Sequence, residues 1–384
     1  IFHGDDGKKL LAIKTDASGY YHGEVPKNTK HLTIVGIEHS RTQYGDTIDI
    51  TKIYSFIDFE AGDIGKISFL DERTAVCTNH NKPVIDLSII KTEASGYKFR
   101  NRDKIFTLSS YTSDISFLTA LRDDILLDAT LTTPDGSLTY AALIEYNEYS
   151  RDDYAIKLSD FKYQGVLVDS SEPIGATEYS AYGMKHGFKF LENGSSVNSG
   201  MPYIFPDLVT KNFFSAKAHK YQEVNGLYMV EFANAINKVS ENGSVEDLVL
   251  PDFNDNYKNE IFSFISDFSL NSTAVEYDFS DISDGMNIVQ FDIDWHKSYQ
   301  EPVHWTVQGP LNSSFPMFEI DEFIQSNDST PFMNVTVALL GFNYTGDIKG
   351  FRNKVADTSQ LIDKYESDLY NSFISLTSQF QLNP

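Results

Sequence analysis

A short sequence block that occurs twice constrains the fold of this chain more than any other feature. Residues 13–20 read Ile-Lys-Thr-Asp-Ala-Ser-Gly-Tyr, and residues 90–97 repeat them with one conservative change from Asp to Glu. The similarity resumes further on, where residues 30–34 (Lys-His-Leu-Thr-Ile) correspond to residues 104–108 (Lys-Ile-Phe-Thr-Leu). Because self-similarity at a fixed spacing indicates duplicated structural units, we expect two related modules in tandem.

Each copy has the pattern of a β-hairpin. A strand ends at Thr15 in the first copy and at Thr92 in the second, and Ala-Ser-Gly follows as the turn. Gly19 and Gly96 supply the residue that takes positive φ at no steric cost. The second strand then starts at the next residue, which is Tyr97 in the second copy. Since few residues precede the first copy, we expect the first module to be truncated at its start.

Residues 15–26, Thr-Asp-Ala-Ser-Gly-Tyr-Tyr-His-Gly-Glu-Val-Pro, resemble the carboxypeptidase regulatory-like (transthyretin-like) β-sandwich family. There the pattern T-D-x-x-G-x-Y-x-x-x-V-P closes a hairpin of the sandwich, and it is matched here by Thr15, Gly19, Tyr21 and Pro26. The resemblance covers residues 8–37. The second copy departs from the pattern, because no Val-Pro pair follows it. The resemblance implies a non-catalytic accessory or surface module.

Apolar and polar residues alternate repeatedly beyond residue 110, which favours strands. We therefore expect a mainly β protein. Tandem β-sandwich modules at residues 1–48 and 49–125 precede a larger antiparallel β-rich region at residues 126–384, with a sub-boundary near 170–200.

The C-terminal segment has a different pattern, which predicts an amphipathic helix at about 357–381, packed on a sheet. Asp357 or Thr358 can cap its start. Apolar residues three or four positions apart form the helix stripe: Ile362, Tyr365, Leu369, Phe373, Leu376 and Phe380.

The composition excludes several classes of protein. A net charge of −24 argues against a nucleic-acid partner, since such a surface repels phosphate. The 28 Phe and 22 Tyr residues indicate a packed core rather than a disordered chain. Cys77 is the single cysteine, so the chain is not a disulfide scaffold. No segment approaches the roughly 20 apolar residues of a membrane-spanning helix.

Sequence motifs of common enzymes are absent. The chain contains no G-x-S-x-G, Walker A, G-x-G-x-x-G or H-E-x-x-H motif. Residues 291–295 (Phe-Asp-Ile-Asp-Trp) are similar to the D-x-D-x-E strand of family 18 chitinase-like glycosidases, but His296 stands where that family has its acidic Glu. We therefore predict no catalytic residues, no bound cofactor and no enzymatic activity.

Two alternating segments on either side of Gln300 predict an antiparallel hairpin. A register centred on that residue places Trp295 opposite Trp305 in the core and His296 opposite His304 on the polar side. Two imidazoles with carboxylates are ligand types that zinc accepts. The polar side is therefore a candidate zinc or calcium site, formed by Asp292, Asp294, His296 and His304; the alternative is a solvated polar face.

Taken together, these patterns predict a non-enzymatic scaffold or a binding or adhesion protein with a protein or glycan partner. The aromatic, Asn/Ser/Thr-rich and Lys-poor composition favours export to the cell-envelope surface, the periplasm or the extracellular space. A lipid anchor on a removed N-terminus is one means of attachment. An alternative is a carbohydrate-binding protein that uses exposed rings near Tyr146, Tyr149, Tyr179 and Tyr182. A more remote alternative is a metal-dependent hydrolase built on the Asp/His cluster.

Overall fold

A computed structural model of the protein describes residues 1–16, 19–41, 47–62, 64, 65, 67, 69, 84–86, 88, 94–101, 104–107, 114–116, 125–133, 136–145, 154–185, 188–196, 201–224, 227–270, 274–282, 284–296, 301–320, 323, 333–359 and 367–382. Several residues used in the sequence predictions lie outside these ranges: Cys77, Thr92, Tyr146, Tyr149, Gln300, Ile362 and Tyr365.

The described residues form mainly β-strands. The strands are β1 (Phe2–His3), β2 (Lys9–Leu11), β3 (His31–Arg41), β4 (Thr47–Phe56), β5 (Val84–Asp86), β6 (Ala94–Asn101), β7 (Lys104–Thr107), β8 (Asp114–Ser116), β9 (Ile125–Thr133), β10 (Gly136–Ile144), β11 (Tyr154–Ala155), β12 (Phe161–Gln164), β13 (Val166–Leu167), β14 (Glu178–Lys185), β15 (Phe188–Ser196), β16 (Tyr203–Ile204), β17 (Lys211–Val224), β18 (Leu227–Val239), β19 (Val275–Asp278), β20 (Ile288–His296), β21 (Pro302–Gly309), β22 (Asn312–Phe315), β23 (Met333–Phe342) and β24 (Ser372–Leu382). The α-helices are α1 (Asp255–Leu270) and α2 (Ile348–Ser359), and short 3-10 turns occupy Leu158–Asp160 and Asp368–Tyr370. Neither α-helix combines the length and the apolar character that a bilayer crossing requires.

Twelve strands form one central sheet in the order β15-β14-β17-β18-β24-β23-β20-β21-β4-β3-β1-β2. Neighbouring strands run antiparallel except β4 and β21, which pair in parallel from Thr51 opposite Val303 to Phe56 opposite Gln308. This parallel contact joins the N-terminal strands to the C-terminal half of the chain. Smaller sheets have the orders β12-β10-β9-β6-β7, β11-β5-β8, β13-β16 and β19-β22.

Helix α1 covers one side of the central sheet, which we call the inner face. Its residues Tyr257, Ile261, Phe264 and Ile265 are buried in the main hydrophobic core. The ring of Phe264 stacks on that of Phe291 in β20, with centroids 4.6 Å apart. Burying one such side chain contributes roughly 1.5–3 kcal/mol. The apolar positions of the alternating strands therefore turn towards this helix.

A buried chain of hydrogen bonds ties β1, β3, β4 and β21 together. The His3 Nε2 atom lies 3.0 Å from Thr33 Oγ1, which lies 2.8 Å from Ser55 Oγ. The indole N–H of Trp305 donates to the same Ser55 oxygen at 3.0 Å. Burial lowers the pKa of His3 to about 4, so its ring is neutral at pH 7. Because each polar group has a partner, the desolvation cost of burying it is largely offset.

The predicted mainly β fold with a large antiparallel region is confirmed. The predicted C-terminal helix at about 357–381 is wrong, because Ser372–Leu382 form strand β24 between β18 and β23. Leu376 and Phe380 are four positions apart. Since four is an even number, this spacing fits one side of a strand as well as one stripe of a helix. Both side chains are buried on the inner face.

The two residues predicted to cap the start of the C-terminal helix lie instead at the end of helix α2. Asp357 and Thr358 belong to the last turn of α2. The hydroxyl of Thr358 donates to the Lys354 carbonyl at 2.6 Å, which is a bond within the helix rather than a cap at its start. Leu369 lies in the short 3-10 turn that precedes β24.

The two copies of the repeat have different structures. In the first copy Gly19 has φ of +82°, and the N–H of Asp16 donates to the Tyr20 carbonyl at 2.9 Å, which closes the predicted turn. Residues 12–16 and 20–30, however, form no strand on either side of it. In the second copy, β6 runs directly through Gly96 and Tyr97 and pairs with β9. The turn predicted there is therefore wrong, and the copies are not equivalent hairpins.

The other motif residues of the first copy lie in the irregular segment between β2 and β3. Thr15 is exposed. The Tyr21 ring packs against Phe2, with centroids 5.9 Å apart, and the Pro26 carbonyl accepts the N–H of Thr29 at 3.2 Å. The ring contact places the segment against β1, and the hydrogen bond orders a turn within it.

Two of the predicted domain boundaries fall within strands. The boundary between residues 48 and 49 lies inside β4, and β4 pairs with β3 on both sides of it. The boundary between residues 125 and 126 lies at the start of β9. The β-sandwich modules and the sub-boundary near 170–200 stay predictions.

Candidate functional site

The side of the central sheet opposite α1 carries polar and aromatic side chains over six neighbouring strands, and most of them are accessible. We call this surface the open face. Three rows of neighbouring residues cross these strands. The first row is Tyr221, Val230, Gln379, Thr336, Asp292 and Thr306, and the second is His219, Phe232, Thr377, Ala338, Gln290 and Gln308. The third row is Glu223, Tyr228, Gln381, Asn334, Asp294 and His304. The surface spans β17 to β21, five strand spacings or roughly 24 Å.

Strand alternation explains why these side chains point outward. In β20, Phe291, Ile293 and Trp295 are buried on the inner face. Successive side chains of a strand point to opposite faces, so Asp292 and Asp294 lie on the other side. The same alternation gives β21, β23 and β24 an apolar inner face and a more polar open face in this region. Strands β17 and β18 differ, because Lys220 and Glu231 lie on their inner side.

The predicted hairpin of β20 and β21 is confirmed, together with the face on which each side chain lies. Trp295 and Trp305 are both buried, as predicted. The predicted register is wrong by two residues, because Asp294 lies opposite His304 and Ile293 opposite Trp305. A shift by two residues keeps every side chain on its face, so the hydrophobic pattern alone cannot distinguish the two registers.

The Asp294 carboxylate and the His304 imidazole form a close pair on the open face. Asp294 Oδ1 lies 2.6 Å from His304 Nδ1. Both side chains are about half exposed, and they end the third row at β20 and β21. The contact fixes the orientation of the ring and leaves both groups accessible to a ligand.

Asp292 is held by its neighbours more tightly. The Thr306 hydroxyl donates to one carboxylate oxygen at 2.6 Å, and the Gln290 amide donates to the other at 2.8 Å. Gln308 in turn donates to the Gln290 oxygen at 2.9 Å. Burial raises the pKa of Asp292, and the two donors oppose this effect. The network fixes four side chains in the middle of the hairpin.

The four residues of the candidate metal site do not come together as one ligand set. Asp292 directs both oxygens at Thr306 and Gln290, whereas Asp294 contacts His304. His296 lies at the strand end, opposite Pro302. Across the part of the chain that the structure describes, no three His, Cys, Asp or Glu side chains are grouped to hold a metal ion. The arrangement is therefore a hydrogen-bonded polar face.

The other end of the open face is aromatic. Tyr221 and Tyr228 are 71% and 73% exposed, and Phe232 is also exposed. The rings of His219 and Tyr221 meet edge to face, with centroids 5.6 Å apart. These rings lie near the tip of the β17–β18 hairpin, which has a two-residue connection between Val224 and Leu227. Large exposed rings grouped in this way are typical of a ligand-binding surface.

Two of the four tyrosines predicted to be exposed are buried, and the other two, Tyr146 and Tyr149, lie outside the described residues. Tyr179 and Tyr182 are only 2% and 4% exposed, because they pack against Phe214 and Phe213, so the prediction is wrong for these two. Sequence analysis missed the rings of β17 and β18. The Asn-Gly pair at residues 225–226, between two alternating segments, is the signal that would have placed them on one hairpin.

The chain was compared with protein-family models, with curated proteins and with solved structures, and none of them matches it. The resemblance of residues 8–37 to the carboxypeptidase regulatory-like family therefore stays a prediction, and the site is interpreted from its own geometry.

Proposed function

We propose that this protein is a non-enzymatic binding or scaffold protein of the cell envelope or the extracellular space, and that the open face is its binding surface. The observation that supports this proposal is the open face itself: three rows of side chains held at fixed spacing across six hydrogen-bonded strands. A sheet positions side chains more rigidly than loops do. Such a surface suits the binding of an extended partner.

The hydrogen bonds of the open face support binding rather than chemistry. Nucleophilic catalysis requires a hydroxyl or thiol that bonds to a base. On the open face the His304 ring contacts Asp294, and the Thr306 hydroxyl donates to Asp292 instead of to an imidazole. These contacts keep the polar groups ordered and ready to exchange hydrogen bonds with a ligand.

The location of the protein outside the cytoplasm is part of the same proposal. It is supported by the composition, which is rich in Asn, Ser, Thr and aromatic residues and poor in Lys. The large negative charge supports a partner other than nucleic acid.

Photo-cross-linking in the organism that encodes the chain tests this proposal. A photoreactive phenylalanine analogue replaces Gln379, which is exposed at the centre of the open face, and, as the control, Asp267, which is exposed on α1. We expect irradiation to yield a discrete adduct from position 379 and none from position 267. Equal adducts from both positions, or none from either, would contradict the proposal. Digestion of the adduct with protease or with glycosidases then identifies the class of partner.

A further inference from the structure

We propose that the open face binds a neutral polysaccharide, as an extended segment that crosses the strands from β17 to β21. This inference rests on the function proposed above and assigns the chemical class of the ligand. It follows from three properties of the open face: the exposed rings at its aromatic end, the polar side chains between those rings and β21, which we call the polar floor, and the negative charge of the surface.

The aromatic end offers stacking surfaces. Tyr221 and Tyr228 belong to adjacent strands on either side of the hairpin tip, and both rings are largely exposed. A tyrosine ring has an apolar face and a polar hydroxyl tip. The apolar face matches the C–H face of a sugar ring, and the tip can hydrogen-bond to a sugar hydroxyl. Phe232 extends the same surface towards the second row.

The polar floor supplies paired donors and acceptors. Amide side chains carry both a donor and an acceptor, and a carboxylate offers two acceptors, which suits a ligand whose hydroxyls do both. Six such side chains line the floor between the aromatic end and β21: Gln290, Asp292, Asp294, Asn334, Gln379 and Gln381. Gln381 donates to Asn334 at 3.4 Å, and Asp294 contacts His304. Because these contacts already order the side chains, binding costs less conformational entropy.

The dimensions of the open face favour an oligomer over a single sugar. From β18 to β20 the surface spans three strand spacings, roughly 14 Å. The aromatic rings and the Asp294–His304 pair are therefore too far apart to contact one monosaccharide together. A chain of sugars that runs across the strands can contact both.

The charge of the face disfavours an anionic ligand. The eighteen side chains of the open face include three carboxylates (Glu223, Asp292 and Asp294) and no lysine or arginine. On a protein with net charge −24, this surface repels polyanions such as nucleic acid and acidic polysaccharides.

The centre of the open face argues against a protein partner. Specific protein–protein interfaces have an apolar core inside a polar rim. Here the order is reversed, because the middle of the surface is polar apart from Ala338, whereas the rings lie at one side; the polar residues are Thr336, Gln379, Thr377, Asn334 and Gln290. A polyhydroxylated ligand fits this distribution better.

Affinity electrophoresis of the full chain tests the inference. The gels contain β-glucan, xylan, mannan or α-glucan, with polygalacturonate as the acidic control. We expect retardation by at least one of the neutral polymers and none by the acidic one. We also expect the Tyr221→Ala and Tyr228→Ala variants to bind about tenfold more weakly or worse, as expected for the loss of a central anchor.

Tyr20→Ala is the matched control, because Tyr20 is similarly exposed in the segment between β2 and β3. We expect this variant to bind like the wild type. An unfolding curve for each variant shows that the fold is intact, and a Tyr228→Phe variant retains the stacking surface if alanine unfolds the hairpin. Absence of retardation by any neutral polymer, or full binding by the alanine variants, would overturn the inference. If position 379 nevertheless cross-links to a protein, the proposed function stands and the assignment to a glycan fails.

Discussion

Trp295 and Trp305 meet edge to face on the inner face of the central sheet, with ring centroids 6.4 Å apart, although they are not direct cross-strand partners. Trp295 lies opposite Val303, and Trp305 lies opposite Ile293, so the two rings meet diagonally across the hairpin. Trp305 also donates to Ser55 in β4. This pair therefore connects the β20–β21 hairpin to the N-terminal strands.

Removing the indole N–H of Trp305 tests that connection. We expect Trp305→Phe to reduce the free energy of unfolding by about 1–3 kcal/mol more than Trp295→Phe, because it leaves the buried Ser55 hydroxyl with one partner fewer. Chemical denaturation followed by the fluorescence of the remaining tryptophan measures both variants, since the chain contains two tryptophans. Equal losses in the two variants would show that the hydrogen bond contributes nothing specific.

Glu231 is a buried carboxyl group. Its side chain is fully buried on the inner face of β18, between Lys220 and Ser378, and among the residues that the structure describes neither carboxyl oxygen has a hydrogen-bond partner. Burial raises the pKa of Glu231, and the positive charges of Lys258 and Lys220 oppose this only in part. The folded state therefore holds this proton more tightly than the unfolded state does, and stability falls as pH rises above about 4.3, the ordinary glutamate pKa.

We expect Glu231→Gln to be more stable than the wild type at pH 8 and to lose less stability between pH 5 and pH 8. Thermal unfolding of both proteins across this range measures the difference. Glu223→Gln is the matched control, since Glu223 lies exposed on the neighbouring strand. A wild-type stability that rises with pH relative to the Glu231 variant would contradict the assignment.

The Arg352 side chain links helix α2 to the C-terminal ends of the paired strands β4 and β21. Its guanidinium donates to the carbonyls of Ile57, Asp58 and Gln308 at 2.7, 3.0 and 3.1 Å, and it lies over the Phe56 ring. Burial lowers the pKa of Arg352 to about 10, which leaves it charged at neutral pH.

We expect Arg352→Met to cost about 3 kcal/mol of unfolding free energy, because three carbonyls lose a charged donor. Lys349→Met in the same helix is the control. Its ion pair with Glu60 is exposed, so we expect little or no change in the free energy of unfolding. Urea denaturation measures both, and similar values for the two variants would refute the role given to Arg352.

The sequence predicted local features of this fold better than distant ones. The faces of β20 and β21 follow from alternation, which is why the burial of both tryptophans could be predicted. Their register could not, since a two-residue shift preserves the pattern. Strand β24 was missed because the spacing of Leu376 and Phe380 fits the period of a helix as well as that of a strand. Only the pairing with β18 and β23 selects the strand.

The open face could not be predicted as a unit, because its two hairpins and two further strands come from separate parts of the chain. Strand β18 pairs with β24 from Asn237 opposite Ser372 to Met229 opposite Phe380, and such long-range pairing cannot be read from local sequence. The prediction of two equivalent hairpins from the repeat was wrong for a related reason. The same local sequence forms a turn near Gly19 and part of a strand at Gly96, because the surrounding structure differs.

The position of β24 can be tested by cross-linking two engineered cysteines in a Cys77→Ser background. Thr336 and Gln379 are direct cross-strand partners on the open face, so their Cβ atoms lie about 5 Å apart. We expect a short bis-maleimide to bridge Thr336→Cys with Gln379→Cys. It should not bridge Thr336→Cys with Ser378→Cys, because Ser378 is buried on the inner face. Bridging in the second pair alone would place the strand in another orientation.

Protection of the open face by a bound ligand is the most direct test of its role. In the Cys77→Ser background, a single cysteine replaces Thr336 or, on the helix side, Asp267, and its labelling rate is measured with and without a saturating neutral polysaccharide. We predict that labelling slows about tenfold or more at position 336 and is unchanged at position 267. Unchanged labelling at position 336 while the polysaccharide is bound, or protection at position 267 instead, would contradict the open face as the binding surface.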